Sequence, residues 1–388
     1  MRERIPGTTS TGSKRPETLF GSRDEGLPSR MSRSAGCRVW DEHGREYVDL
    51  VMALGSVALG YGHPAITAAV SEAASNGVVS GLAPALEVEV AELVCESIPW
   101  VEQVRFLKTG AEAVAAAVRI ARTATGRDRV LGCGYHGWLD WCQPAGARGV
   151  PAELGGLFSE LPFNEPEATR DLIRTHAATL GAVVVEPVIV DPPNPEWLRV
   201  VQDECERAGV VFVLDEIKTI GRLAVGGAAE RWGIRPDLVV MGKAIANGLP
   251  LAVVGGRAEV MAAANHTWIS STLATETVSL AAARATLQTL ASEGVPAHLS
   301  RVGTRLLAGL EALATRHPAH LRGAAGLPEM CFLQFTSEQA SAATAQGAAA
   351  RGLLFKRTAY NFVSLAHGER EVDFALEVLE GVLGEMDR

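Results

Sequence analysis

Two kinds of hydrophobic pattern alternate through the middle of the chain. Short β-branched, apolar runs at 129–131, 182–185, 210–214, 238–241 and 252–254 read as strands, and 103–107 is also strand-like. The apolar positions of the β-branched runs are continuous, as in strands covered on both faces. Between and around them lie stretches of helical character at 65–74, 85–98, 112–123, 279–290 and 299–314. The stretch 112–123 is alanine-rich, carries Val114, Val118 and Ile120, and is followed by Gly126. Near the start, 38–41 and 46–50 flank Gly44 and predict two short strands around a tight turn. The last part predicts strands at 330–335 and 362–365 and a closing amphipathic helix at 371–386. The pattern predicts an α/β fold with a mostly parallel central sheet flanked by helices, plus a smaller α+β lobe. The expected division is an N-terminal segment 1–55 contributing to the small lobe, a large α/β domain 56–295, and a small C-terminal domain 296–388.

Composition narrows the function class. Of 388 residues, 47% are hydrophobic and 21% charged, which excludes a disordered or collagen-like chain. The formal charge of -9 argues against a phosphate-backbone binder, so no nucleic acid partner is expected. No apolar run reaches the roughly 18–20 residues of a membrane helix. Residues 1–22 are polar with no apolar core, so no secretory signal is expected. The six cysteines are scattered without a C-x-x-C pair, and the nine histidines form no metal-binding pattern. A cytoplasmic protein with reduced thiols and no metal is the expectation.

Four segments carry candidate chemistry. Lys108-Thr109-Gly110-Ala111-Glu112 lies between a strand and a helix, where free N–H groups favour an anion; helix capping is the structural alternative. Gly134-Tyr135-His136-Gly137-Trp138 follows a strand and could present a flat ring to a flat ligand, or simply fill a core edge. The strand 210–214 runs into Asp215-Glu216, at the strand end where open α/β sheets bind ligands. An acid there can hold a protonated ring nitrogen, ligate a metal or cap a helix. Gly242-Lys243 directly follows the apolar strand 238–241 and precedes apolar residues. The chain has only five lysines, at 14, 108, 218, 243 and 356. A lysine in such surroundings is a candidate for a neutral amine able to form a Schiff base, because desolvation disfavours the ammonium form.

Together the four segments resemble the class III (ω-type) aminotransferases, which are fold-type I pyridoxal-phosphate enzymes, and their glutamate-1-semialdehyde aminomutase-like branch. The resemblance runs from Trp40-Asp41 and Tyr61-Gly62-His63-Pro64 through Thr109–Ala113 and Tyr135-His136-Gly137. It continues through Asp215-Glu216 with Gly221-Arg222 to the block Pro236–Pro250. It covers most of residues 36–290. It implies that the large domain binds pyridoxal 5'-phosphate, that Lys243 forms the Schiff base and shuttles a proton, and that Asp215 pairs with the pyridinium nitrogen. It further implies that Tyr135 stacks on the ring, that Ile217 lies beneath it, and that Glu186 stands near its 3-hydroxyl side. Gly110 and Ala111 would bind the phosphate through backbone N–H groups, with Ala111 lacking the hydroxyl common in the family. Thr272 resembles the phosphate threonine contributed by a second subunit, which implies a homodimer. His136 is expected to position rather than to transfer protons.

The implied reaction is transamination between a small-molecule amino donor and an oxo acceptor, with ping-pong kinetics, in specialised metabolism. An intramolecular aminomutase is the alternative within this chemistry. The chain lacks the tryptophan expected within 48–60, and 272–279 reads Thr-Leu-Ala-Thr-Glu-Thr-Val-Ser in place of a Ser-Gly-Asn-Pro-type stretch. A decarboxylase or racemase would use the same Lys243 and Asp215. Arg30, Arg33 and Arg357 are the arginines from which a carboxylate clamp could come.

Overall fold

The computed structural model describes residues 4–24 and 26–388. The chain divides into two units: Pro64–Pro296, and the residues up to His63 together with Ala297–Arg388.

The unit Pro64–Pro296 is built on a seven-stranded sheet. Its order is Gln103–Leu107, Ala252–Gly256, Leu238–Met241, Val211–Asp215, Leu180–Val185, Arg129–Cys133 and Phe158–Glu160. Four neighbouring pairs are parallel, and Ala252–Gly256 runs antiparallel to both of its neighbours. Six strands therefore point one way, the mostly parallel α/β sheet expected. Every residue of the three central strands Leu180–Val185, Val211–Asp215 and Leu238–Met241 is buried, which is why their apolar runs show no alternation.

Helix Gly110–Thr125 covers this sheet with a face of small residues, including Ala113, Ala117 and Ala121, against Val184, Val213 and Val240. Alanine suits a close helix–sheet approach and is the strongest helix former. The helix starts at a reciprocal cap in which Thr109 Oγ1 accepts the Glu112 N–H and the Glu112 carboxylate accepts the Thr109 N–H. It ends at Gly126, whose φ of +66° favours glycine. Two amphipathic helices that the sequence pattern did not single out, Pro166–His176 and Pro195–Ala208, also belong here. Trp197 is fully buried and donates its Nε1–H to Thr169 Oγ1 at 2.8 Å.

In the other unit, the expected hairpin Arg38–Asp41 and Glu46–Asp49 joins Met31–Ala35 and Leu353–Leu354 in a four-stranded sheet. Buried Asp41 shapes its turn by accepting the N–H groups of His43 and Arg45 and the Tyr47 hydroxyl, each at 2.9 Å. Helix Glu338–Ala350 packs Ala345 and Ala349 on the cluster of Phe20, Val39, Tyr47 and Leu354. A second sheet holds Leu321–Leu327, Met330–Phe335 and Asn361–Phe362. The strand expected over 362–365 is thus corrected to Asn361–Phe362. Beyond it the backbone turns to other partners: the Ser364 N–H meets His367 Nδ1, and the Leu365 N–H donates to the Ala58 carbonyl.

Candidate active site

The parallel register brings four chain segments to one end of the sheet. Cys133 pairs with Val185, Val185 with Leu214, and Asp215 with Val240. The residues that follow, Gly134–His136, Glu186, Asp215–Lys218 and Gly242–Lys243, therefore leave the sheet on the same side. Gln103–Leu107 points the same way, so Lys108–Glu112 emerges there too. This is the carboxyl end at which open α/β sheets bind ligands.

Asp215 is buried at the end of its strand. Its Oδ2 lies 2.9 Å from His136 Nδ1, and its Oδ1 accepts the Ile217 N–H at 3.2 Å. His136 is also buried, stacks on Trp141 with ring centroids 6.2 Å apart, and leaves Nε2 without a hydrogen-bond partner. Two nitrogens of one ring thus differ sharply: one faces a carboxylate, the other faces no acceptor. The Nδ1–H tautomer satisfies this arrangement, with the proton donated to Asp215.

Lys243 sits at φ +46°, a left-handed backbone that costs a non-glycine residue about 1 kcal/mol or more. Burial pushes its amine below the usual lysine range. Asp215 opposes this, Lys218 adds to it, Glu186 opposes it and Arg222 adds to it. Three of the five lysines lie at this end of the sheet. Lys108 Nζ is 2.7 Å from Glu276, and Lys218 Nζ is 2.6 Å from Glu186. Among the described residues, Lys243 alone of the three has no carboxylate within ion-pair distance.

Glycines shape the floor. A Cβ on Gly110 would lie 2.6 Å from Ile217 Cδ1, and one on Gly137 would lie 2.5 Å from Ala111 Cβ. Gly134, at φ +98°, leaves room for Glu186, whose side chain a Cβ would meet at 2.4 Å. The N–H groups opening a helix have no partner within it. The cap engages those of Thr109 and Glu112 and leaves those of Gly110 and Ala111 outside it.

The structure draws Lys243, Asp215, Ile217, Gly110, Ala111 and Glu186 to this sheet end. Glu186 spends Oε1 on Lys218 and Oε2 on the Tyr135 N–H, the latter at 2.8 Å. Tyr135 is 72% exposed in the single chain. Thr272 is exposed in the segment after Ala252–Gly256, beside Leu273. The sequence pattern attached no role to Lys218; the signal available was its rarity and its place three residues after Asp215.

The residues present fit pyridoxal phosphate. A buried amine, a buried carboxylate held by a histidine, a helix opening with two N–H groups to spare and a glycine above Ile217 match its aldehyde, ring nitrogen, phosphate and flat ring in turn.

The sequence pattern of the family Aminotransferase class-III matches residues 20–368. Glutamate-1-semialdehyde 2,1-aminomutase of Thermomicrobium roseum is 34% identical, covering all of this chain and 97% of its own. The PLP internal aldimine form of FumI protein from Sphingopyxis sp. MTA144 superposes with a TM-score of 0.92 at 26% identity, over 99% of this chain and 94% of that one. An omega-transaminase from Sphaerobacter thermophilus shares the fold with a TM-score of 0.85 at 24% identity, over 99% of both chains. The chain belongs to the class III aminotransferases, a family of pyridoxal-phosphate-dependent enzymes of fold type I.

Proposed function

We propose that this aminotransferase moves an amino group between a small-molecule donor and an oxo acceptor by ping-pong chemistry, with Lys243 and Asp215 as its catalytic residues. The observation that carries the assignment is that Lys243 is the lysine of the sheet end left without a carboxylate partner among the described residues, in surroundings that favour its neutral form.

When bound, pyridoxal phosphate supplies an aldehyde that takes up amines and a ring that draws electrons from the carbon bearing the nitrogen. Lys243 Nζ would hold the cofactor, and as a free amine it would take and return the proton at the substrate carbon. Asp215, oriented by His136, would keep the ring nitrogen protonated. The N–H groups of Gly110 and Ala111 would hold the phosphate, and Ile217, Tyr135 and Glu186 would contribute to the ring's binding site.

Thr272 would hold the phosphate in a second copy, so that the working unit would be a homodimer. Large apolar side chains left exposed on this unit, among them Leu82 at 85%, Trp268 at 81% and Trp138 at 74%, support such a partner. We place the enzyme in the cytoplasm, where its six free cysteines would stay reduced, and assign it to the biosynthesis of specialised metabolites.

The Thermomicrobium relative favours a second reading, an intramolecular amino shift. Turnover that requires a separate oxo acceptor supports transfer; turnover without one supports the shift. The site itself is tested by borohydride reduction of the holoenzyme and peptide mapping. The cofactor is expected on Lys243, and a tag on Lys108 or Lys218 overturns the assignment. Lys243→Ala is expected to lose that tag and to lower turnover by about 10²- to 10⁴-fold or more, the usual range for a positioned acid–base group.

A further inference from the structure

The site holds a second lysine that the reaction does not use. Lys218 lies three residues beyond Asp215, with its side chain largely buried. Its Nζ is 2.6 Å from Glu186 Oε1 and donates to the Val188 carbonyl at 2.6 Å. Glu186 is fixed in turn, because its Oε2 accepts the Tyr135 N–H at 2.8 Å. The segment carrying Lys218 lies directly against the one carrying Lys243. The Glu216 N–H donates to the Val240 carbonyl, and the Ile217 side chain comes within 3.5 Å of where a Gly242 Cβ would stand.

Two amines at one site pose a chemical problem. Only a neutral amine attacks a carbonyl, and two buried lysines compete both for protons and for the aldehyde. Here the competition is resolved by unequal partnering. Lys218 has a carboxylate and a carbonyl at hydrogen-bonding distance; Lys243 has no such carboxylate among the described residues.

We propose that Lys218 is a positioning residue: locked by Glu186 and Val188 as an ammonium, it keeps the Lys243 amine neutral and is itself withheld from the cofactor. This role rests on the assignment of Lys243 as the cofactor lysine. The charged groups around Lys243 are Asp215 at the end of its strand, Lys218 and Arg222 from the turn that follows, and Glu186 from the neighbouring strand end. Lys218 and Arg222 oppose an ammonium on Lys243, and Asp215 and Glu186 favour one. Removing Lys218 deletes a cation and frees the Glu186 carboxylate, and both changes favour protonation of Lys243.

Trace labelling of lysines with acetic anhydride across a pH series, on protein stripped of cofactor and read by peptide mass spectrometry, reports each amine separately. Lys218→Met is expected to raise the midpoint for Lys243 by about half a pH unit or more, the direction and minimum size for losing a nearby like charge. Glu186→Gln is expected to lower that midpoint. Lys218→Arg keeps the cation and is expected to stay close to the wild type, so the proposal remains falsifiable even if the methionine variant does not fold. In the wild-type protein Lys218 should label far more slowly than Lys243 near neutral pH. Equal midpoints in wild type and Lys218→Met, a raised midpoint in Lys218→Arg, or Lys218 labelling as fast as Lys243 would each overturn the proposal. Uptake of pyridoxal phosphate by the wild-type protein is scored separately. Its failure counts against the proposed function and leaves the labelling result intact.

Discussion

His136 Nδ1 and Asp215 Oδ2 lie 2.9 Å apart with both side chains buried, although 79 residues separate them in the chain. The contact joins the loop after Arg129–Cys133 to the end of Val211–Asp215, across the intervening strand Leu180–Val185. A carboxylate so held cannot rotate without breaking the bond. His136→Phe is expected to keep the fold and lower kcat by about 10- to 100-fold, the range for losing a partner that orients a functional ligand. The diagnostic readout is the ¹⁵N shift of labelled cofactor, which should move toward the unprotonated ring nitrogen. An unchanged shift with unchanged kcat would show that Asp215 needs no support.

Glu216 sets a pH dependence of stability. It is fully buried, and burial pushes its carboxyl up to about 7 despite hydrogen bonds from the Thr219 hydroxyl and from the Ala228 and Ala229 N–H groups. Between the usual value near 4.5 and about 7, the unfolded chain gives up this proton while the folded chain keeps it. Stability contributed by this group therefore falls as pH rises through that window, by on the order of 3 kcal/mol. Glu216→Gln is expected to flatten the slope in urea melts taken across the window. It should also lower stability at every pH, because an amide cannot accept all three hydrogen bonds. A slope identical to that of wild type would refute the assignment.

Trp197 depends on a single buried acceptor. Its Nε1–H meets Thr169 Oγ1 at 2.8 Å, and the Thr169 hydroxyl also contacts the Pro162 carbonyl at 3.1 Å. Thr169→Val keeps the shape and removes the acceptor. The orphaned indole N–H should cost about 1–3 kcal/mol. Urea denaturation should show a lower midpoint with an unchanged m-value, and an unchanged midpoint would mean that another group accepts the proton.

The proposed dimer is tested at Trp268, which is 81% exposed while its backbone carbonyl is held by Arg119 at 2.8 Å. Trp268→Asp is expected to turn a sedimenting species of twice 40.9 kDa into one of 40.9 kDa. Turnover should be lost with it if Thr272 serves the neighbouring copy. A variant that stays dimeric removes Trp268 from the interface, and an active monomer removes Thr272 from the site.

What the sequence determined by itself was local. Continuous apolar runs announce strands covered on both faces, as at Leu238–Met241, and the strands Gln103–Leu107 and Met330–Phe335 likewise begin and end where the sequence pattern places them. The strand ends carrying Asp215 and Lys243 were legible for the same reason, since a charged residue directly after such a run interrupts the pattern. The sequence was less informative where the signal is weak or partners are distant. The alanine-rich Glu338–Ala350 shows little contrast between its faces, and Leu321–Leu327 contains an unbroken run of small residues from Gly323 to Gly326. Only the tertiary structure decided which charges meet. Nothing in the spacing of Asp215, His136, Glu186 and Lys218 states that the first pair shares a hydrogen bond and the second an ion pair, because those contacts follow from strand order and register. Strand order is a property of the whole folded sheet, and it separates Lys218, which has a carboxylate partner, from Lys243, which has none among the described residues.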